Sequence, residues 1–210
     1  VKTGDFTLGK PLVEFEKKFA KLMGVKYAIG VNSGTDAIKL SLKALGIKSG
    51  DEIITAANTF VATVGAINEL GAKPVFVDCN NTFCMNVDLV ERAITKKTKA
   101  IVPVHFTGYM TQMPYLIKLS KKYKIPIIED CAHAFGGKYS NQKKVGNCQY
   151  SDMSVFSFHP VKTITTGEGG IVTTNNKKLY HRLLRLRSHG INKFDDKFIN
   201  KKNAVNAHRL

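Results

Sequence analysis

The sequence predicts an α/β fold, a mostly parallel β-sheet with helices on both of its faces. Short runs rich in β-branched residues alternate along the chain with helix-length amphipathic stretches, and this alternation is typical of parallel sheets. Glycine and proline mark several joins between the two kinds of segment, among them Gly46, Gly71 and Pro126. A length of 210 residues accommodates one large domain or two small ones.

Seven segments have the length and composition of strands. In chain order they are Tyr27–Val31, Glu52–Ala56, Pro74–Asp78, Ala100–Val104, Ile125–Glu129, Met153–Phe158 and Gly170–Thr174. Between the first five of these lie four predicted helices, Thr35–Leu45, Phe60–Leu70, Val87–Ile94 and Met113–Tyr123. In the last of them Leu116, Leu119 and Tyr123 recur at helical spacing. The final stretch, 188–210, is polar and weakly patterned.

The charge of the chain is unusual, because 32 basic residues against 16 acidic ones give a net charge of +16. Such a charge is typical of proteins that bind nucleic acid. Only five of the basic residues are arginines, however, and arginine is the side chain that best matches phosphates and guanine edges. We therefore interpret the charge as a lysine-rich composition and expect no nucleic-acid partner.

The remaining composition argues against membranes and metals. No apolar run approaches the roughly 20 residues of a membrane span, and no secretory signal opens the chain. The cysteines Cys79, Cys84, Cys131 and Cys148 form no CxxC pair, so zinc-binding spacing is absent. We expect a cytoplasmic protein with reduced thiols, no membrane association and no metal site.

Polar and aromatic residues follow five of the predicted strands. They are Asn32–Asp36, Asn58–Phe60, His105, Asp130 with His133, and His159 with Lys162. In an open parallel sheet the binding site lies just beyond the carboxyl ends of the strands. We therefore expect these residues to converge on one edge of the sheet.

Each of these groups has a functional interpretation and a structural one. Ser33-Gly34-Thr35 fits a phosphate site at a helix N-terminus, or an ordinary N-cap. Asp130 could bind a protonated ring nitrogen or cap the segment that follows it. His133 could instead be a satisfied core histidine, and Phe60 either a stacking ring or a core aromatic.

Lys162 lies between a strand and a glycine-rich turn, where a partly desolvated amine can act as a nucleophile. A reactive lysine, an acid for a ring nitrogen, a phosphate site and an aromatic face are together what pyridoxal 5′-phosphate requires. The sequence therefore predicts a site for this cofactor.

Four motifs carry a resemblance to a known family. They are NSGTDAI (32–38), ANTFVATVGAI (57–67), EDCAHAFGG (129–137) and SFHPVKTITTGEGG (157–170). Together they resemble the DegT/DnrJ/EryC1/StrS family of PLP-dependent sugar aminotransferases, which have the aspartate-aminotransferase (type I) fold. The similarity extends from about residue 4 to residue 190, with the motifs in the order of the family.

The resemblance implies a role for each site residue. Lys162 would form the Schiff base with pyridoxal phosphate and then move the proton during transamination. Asp130 would pair with the pyridine nitrogen, His133 would lie near the phenolic oxygen, and Phe60 would stack on the ring. The phosphate would be held by Gly34, Thr35 and Ser157.

The resemblance also implies the reaction and the organisation of the chain. Glutamate would donate an amino group that passes to a nucleotide-linked 4-keto or 3-keto sugar. Lysine at 162, where one branch of the family has histidine and performs dehydration, favours amino transfer. We expect residues 1–190 to form the large PLP-binding domain and 191–210 to begin a truncated C-terminal region, the small C-terminal domain being absent. The full-length protein would be a homodimer. The alternative is a regulatory or truncated member that binds the cofactor without catalysis.

Overall fold

The computed structural model describes residues 7–190, whose centre is a set of seven strands. The strands are β1 Tyr27–Val31, β2 Glu52–Ala56, β3 Lys73–Val77, β4 Thr98–Val102, β5 Ile128–Asp130, β6 Met153–Ser157 and β7 Gly170–Thr174. The α-helices are α1 Lys10–Met23, α2 Gly34–Leu45, α3 Val61–Asn68, α4 Val90–Ala93, α5 Met113–Tyr123 and α6 Lys177–Arg187. Two single-turn 3₁₀ helices span Val87–Leu89 and Phe106–Gly108.

The strands form two hydrogen-bonded groups, in the orders β3-β2-β4 and β5-β6-β7-β1. Isolated parallel bridges from Ile101 to Ile127 and from Val104 to Asp130 join β4 to the second group. The pairs that β2 forms with β3 and β4, and that β5 forms with β6, are parallel. The predicted mostly parallel sheet is therefore confirmed.

The antiparallel element is β7, which pairs with β6 on one side and β1 on the other. Its first residue, Gly170, is opposite both Val31 at the end of β1 and Ser157 at the end of β6. Because β7 runs in the opposite direction, its start lies at the edge where β1 and β6 end. This edge also receives the first turn of α2.

Apolar side chains form two layers, one on each face of the sheet. One layer packs α1 and α5 against the strands through residues such as Phe19 and Leu116, and the other packs α2 through Leu42. A single strand contributes to both, since Phe156 belongs to the first layer and its neighbour Val155 to the second. Helices therefore cover both faces, as the sequence predicted.

Two helices were not among the predicted elements. Helix α1 has Pro11 in its first turn and ends at Gly24, which adopts the left-handed conformation (φ 73°). Helix α6 begins at Asn176, whose side chain accepts hydrogen bonds from the Lys178 and Leu179 N–H groups. Both helices are rich in charged residues, so only a narrow apolar stripe marks each of them in the sequence.

Other differences concern the limits of elements. The predicted strand Ile125–Glu129 begins only at Ile128, and Pro126 within it has no N–H to give to a neighbouring strand. Phe60 precedes α3 instead of opening it, because its backbone is extended (φ −66°, ψ 146°). The predicted helix Val87–Ile94 is a 3₁₀ turn followed by α4.

Residues 191–210, which the sequence assigned to the start of a further region, lie outside the described residues. Among the helices of residues 7–190, none is both long and apolar enough to cross a membrane.

Phe19 of α1 packs into an aromatic cluster, with its ring centroid 5.4–5.9 Å from those of Phe135, Phe156 and Phe158. Phe19→Ala removes these contacts and leaves a cavity, so we expect the free energy of unfolding in urea to fall by about 3–5 kcal/mol. Val13→Ala is the control on the same helix, because Val13 is 43% exposed; its effect should stay below about 1 kcal/mol. Equal losses for the two variants would contradict this packing.

Candidate active site

The ends of β1 and β6 and the start of β7 approach one another closely around the first turn of α2. A Cβ atom added to Gly34 would lie 2.7 Å from the Ser157 Cβ, and one added to Gly170 would lie 2.3 Å from the Ser33 carbonyl oxygen. Both positions therefore require glycine for steric reasons. The close approach puts the Ser157 side chain beside the N-terminus of α2.

The N-terminus of α2 has the properties of an anion site. Ser33 is its N-cap, and the Ser33 hydroxyl accepts a hydrogen bond from the Asp36 N–H (3.1 Å). The N-cap interpretation of Ser33 is thus confirmed. Helix geometry leaves the N–H groups of Gly34 and Thr35 without intrahelical partners, and the helix dipole favours negative charge there. The cap is therefore compatible with a phosphate site at the same turn.

Lys162 lies in the loop between β6 and β7, and hydrogen bonds close this loop at its base. The Phe158 N–H donates to the Gly169 carbonyl (2.8 Å), and the Thr166 N–H donates to the Phe158 carbonyl (3.1 Å). The half-buried Lys162 Nζ lies 2.8 Å from the His133 Nε2 and 5.8 Å from the centroid of the Phe60 ring. Three residues from three connections therefore meet at one amine.

The immediate partner of Lys162 is a neutral imidazole. Burial lowers the pKa of His133, the positive charge of Lys162 lowers it further, and the negative charge of Asp130 opposes both effects. The neutral ring accepts the Lys162 hydrogen bond on Nε2, which leaves its own proton on Nδ1. His133 is thus half-buried against a charged side chain and is not a core histidine.

Phe60 is 66% exposed, so its interpretation as a core aromatic is wrong. It is the residue before α3, and its ring stands beside Lys162 at the edge of the sheet. An exposed aromatic ring next to an amine and an imidazole provides an apolar face for a planar ligand.

Asp130 is the last residue of β5 and is only 5% exposed. Its Oδ2 accepts a hydrogen bond from the Thr63 hydroxyl (3.0 Å), and its Oδ1 accepts one from the Ala132 N–H (3.1 Å). The second bond is the cap that the sequence offered as the alternative role. Two donors from different elements therefore orient the carboxylate, which retains unused lone pairs for a further donor.

Sequence reasoning placed Thr59 among the residues at this edge but missed Thr63, whose hydroxyl bonds to Asp130. The Thr59 hydroxyl donates to the Thr63 hydroxyl (2.9 Å), which in turn donates to Asp130. The signal was present in the sequence, because Thr59 and Thr63 are four residues apart and flank Phe60 in one motif. The contact of Thr63 with Asp130, 67 residues further along the chain, is visible only in the structure.

Two histidines that follow predicted strands have structural roles. His105 is fully buried, and its Nε2 lies 3.0 Å from Oε2 of Glu129. The His159 Nδ1 accepts a hydrogen bond from the Val161 N–H (3.3 Å), which shapes the turn that leads to Lys162. Within residues 7–190 no three His, Cys, Asp or Glu side chains are grouped so that they could hold a metal ion.

The geometry can be compared with known proteins. The sequence model of the DegT/DnrJ/EryC1/StrS aminotransferase family matches residues 1–209. The chain belongs to this family. Aminotransferases of this family are PLP-dependent. An amine, a carboxylate and an anion site at one edge of the sheet are groups that this cofactor requires.

The chain is also similar in sequence to individual curated relatives. It is 48% identical to GDP-perosamine synthase of Escherichia coli O157:H7 over 184 residues, covering 87% of the chain and 50% of that protein. It is 41% identical to UDP-4-amino-4-deoxy-L-arabinose–oxoglutarate aminotransferase of Shewanella sediminis, covering 91% of the chain and 48% of that protein. The chain thus spans about half the length of the curated relatives it matches.

A solved structure extends the similarity to the fold. The chain superposes on NtdA from Bacillus subtilis, a crystal structure with bound cofactor PMP, with a TM-score of 0.86 and 37% sequence identity. The match covers 95% of the chain and 45% of NtdA. The aminotransferase fold predicted from the sequence is therefore confirmed.

The pairing of Lys162 with His133 can be tested without a ligand. Lys162→Met removes the positive charge that lowers the His133 pKa, so we expect that pKa to rise towards its ordinary value while the effect of burial remains. The measurement is an NMR titration of the imidazole signals, with the His133 signal assigned through His133→Gln. Lys143→Met, at an exposed position, is the control. A His133 pKa that stays constant or falls in Lys162→Met would contradict the pairing.

Proposed function

We propose that the chain binds pyridoxal 5′-phosphate through a Schiff base on Lys162 and transfers the amino group of glutamate to a nucleotide-linked keto sugar. The observation that carries this proposal is the meeting of the Lys162 amine with the His133 imidazole and the Phe60 ring (2.8 and 5.8 Å). Asp130, at the end of β5, supplies the carboxylate that such a cofactor needs for its ring nitrogen.

The residues present fit the cofactor at each of its functional groups. The close contact of Gly34 with Ser157 leaves only backbone and a hydroxyl at the N-terminus of α2, which suits a phosphate dianion. Thr35 occupies the same first turn. When bound, pyridoxal phosphate supplies an aldehyde that captures amines and a protonated ring that withdraws electrons from them.

Each side chain of the site has its own role in binding the cofactor and in moving protons. Lys162 is the amine that attaches the cofactor and moves a proton to or from the substrate carbon. His133 would lie near the phenolic oxygen of the cofactor, and its Nε2 holds the Lys162 amine beside the Phe60 ring. Asp130 binds the pyridinium N–H, while Phe60 covers one face of the ring and excludes water from it.

The names of the relatives support the substrates. Both curated relatives are named for nucleotide-linked amino sugars, and one name includes oxoglutarate, the keto acid that glutamate becomes. We further propose that residues 1–190 form the cofactor-binding domain, that residues 191–210 lead into a further domain, and that the whole protein is a homodimer. Four unpaired cysteines support a location in the reducing cytoplasm.

Attachment of the cofactor to Lys162 is tested by adding one equivalent of pyridoxal phosphate. We expect a Schiff-base absorbance band, and borohydride reduction should leave the label on the peptide that contains Lys162. Lys162→Arg keeps the charge but lacks the nucleophile, so the band should disappear. Lys143→Arg, at an exposed lysine, should retain it. A band that persists in Lys162→Arg, or a label spread over other lysines, would contradict the assignment.

A second candidate function is cofactor binding without turnover. The two functions differ in one half-reaction. Amino transfer predicts that the loaded chain releases one equivalent of 2-oxoglutarate from glutamate, whereas Lys162→Ala releases none. A loaded wild-type chain that shows the absorbance band but releases no 2-oxoglutarate would establish the non-catalytic function instead.

A further inference from the structure

We propose that Thr63, supported by Thr59, is a positioning residue that fixes Asp130 for its contact with the cofactor's ring nitrogen. The inference rests on the proposed function, since it concerns the same site. The hydroxyls of Thr59 and Thr63 would act on the cofactor only by orienting Asp130, and neither threonine takes part in the chemistry itself.

The first support is the direction of the hydroxyl chain. Thr63 is only 1% exposed, and its hydroxyl lies 3.0 Å from the Asp130 Oδ2. A hydroxyl has one hydrogen, so Thr63 gives it to the carboxylate and accepts the hydrogen of Thr59 at 2.9 Å. The other acceptor available to Thr59 is the Phe60 carbonyl, at 3.5 Å, which is much weaker. The hydrogen bonds therefore run in one direction, from Thr59 through Thr63 to Asp130, and each bond polarises the next.

The second support is what the carboxylate would lose without this chain. The terminal torsion of an aspartate is broad, so a single hydrogen bond leaves the carboxylate plane free to turn. The Ala132 N–H, in the turn after β5, holds one oxygen, and Thr63 in α3 holds the other. With both hydrogen bonds in place the orientation of the Asp130 carboxylate plane is fixed, and its unused lone pairs point in one direction.

The third support is the position of Phe60 between the two threonines. Thr59, Phe60 and Thr63 form the turn through which the chain enters α3, and the centroid of the Phe60 ring lies 5.8 Å from the Lys162 Nζ. The same turn therefore places the ring that covers the cofactor's face and the hydroxyl that aims its acid. A shift of this turn would move both groups together.

The experiment compares two ligands that differ only at the ring nitrogen, pyridoxal phosphate and its 1-deaza analogue, in which carbon replaces that nitrogen. Thr63→Val removes the hydroxyl and keeps the shape of the side chain. We expect the dissociation constant for pyridoxal phosphate to rise about tenfold, because the bond from Asp130 to the ring nitrogen is charge-assisted. The constant for the deaza analogue should change less than about twofold, since it makes no such bond.

Two further variants separate positioning from packing. Thr63→Ser restores the hydroxyl and should bind both ligands as the wild type does. Thr55→Val is the matched control, because Thr55 is equally buried but donates to the Val102 carbonyl (2.8 Å), away from Asp130. It should leave both constants unchanged. Thr59→Val, at a half-buried position that spares the core, should weaken pyridoxal phosphate alone, by about threefold.

Equal losses for both ligands in Thr63→Val, or no loss for pyridoxal phosphate, would overturn the inference. A ligand-free measurement keeps it separate from the proposed function. In Thr63→Val the freed carboxylate should release the Ala132 N–H and speed its hydrogen exchange, whereas Thr55→Val should not. If the wild type binds neither ligand, the proposed function fails, and an unchanged Ala132 exchange rate would then overturn the inference as well.

Discussion

The carboxylate of Glu129 is the interaction on which the candidate site depends. It is fully buried, and it receives hydrogen bonds from His105 after β4, from Tyr139 and Ser151 between β5 and β6, and from Ser154 within β6. Burial by itself raises the pKa of Glu129, but the hydrogen bond and electrostatic attraction from His105, with the hydrogen bonds from Ser151 and Tyr139, outweigh it, so that the net effect is a lowered pKa. A buried charge stabilised in this way ties three parts of the chain to β5, because losing any donor leaves the charge less compensated.

Asp130 is the next residue, and the alternation of side chains along a strand turns it to the opposite face. Glu129 therefore faces the interior network, while Asp130 faces the edge where α3 begins. The backbone of Asp130 is held from the β4 side, since its N–H donates to the Pro103 carbonyl (2.9 Å) and its carbonyl accepts from the His105 N–H (3.0 Å). In this dipeptide the buried hydrogen bonds of Glu129 hold the end of β5 rigid. That rigidity in turn keeps the Asp130 carboxylate in a defined position at the site.

Much of this arrangement could be predicted from local patterns, and the remainder depends on contacts between distant parts of the chain. The bounds of β1, β2, β7 and α5 match the predicted ones, because the strands are short buried runs bounded by turn residues and α5 has apolar residues at helical spacing. The convergence of Lys162, His133 and Phe60 followed from the rule for parallel sheets. The bond between Thr63 and Asp130 could not be predicted, because it depends on the sheet order that places α3 beside β5. The same holds for the partner of His105, which only the packing of β4 on β5 supplies.

The lysine-rich composition acquires a different meaning at the site. Lys39, for example, bonds to the carboxylates of Asp36 and Glu69, and these partners raise the pKa of Lys39 and hold it as a cation. Lys162 bonds instead to an imidazole that is itself kept neutral by burial. Lys162 and Lys39 therefore differ in the charge of their hydrogen-bond partners, and composition alone carries no information about this difference.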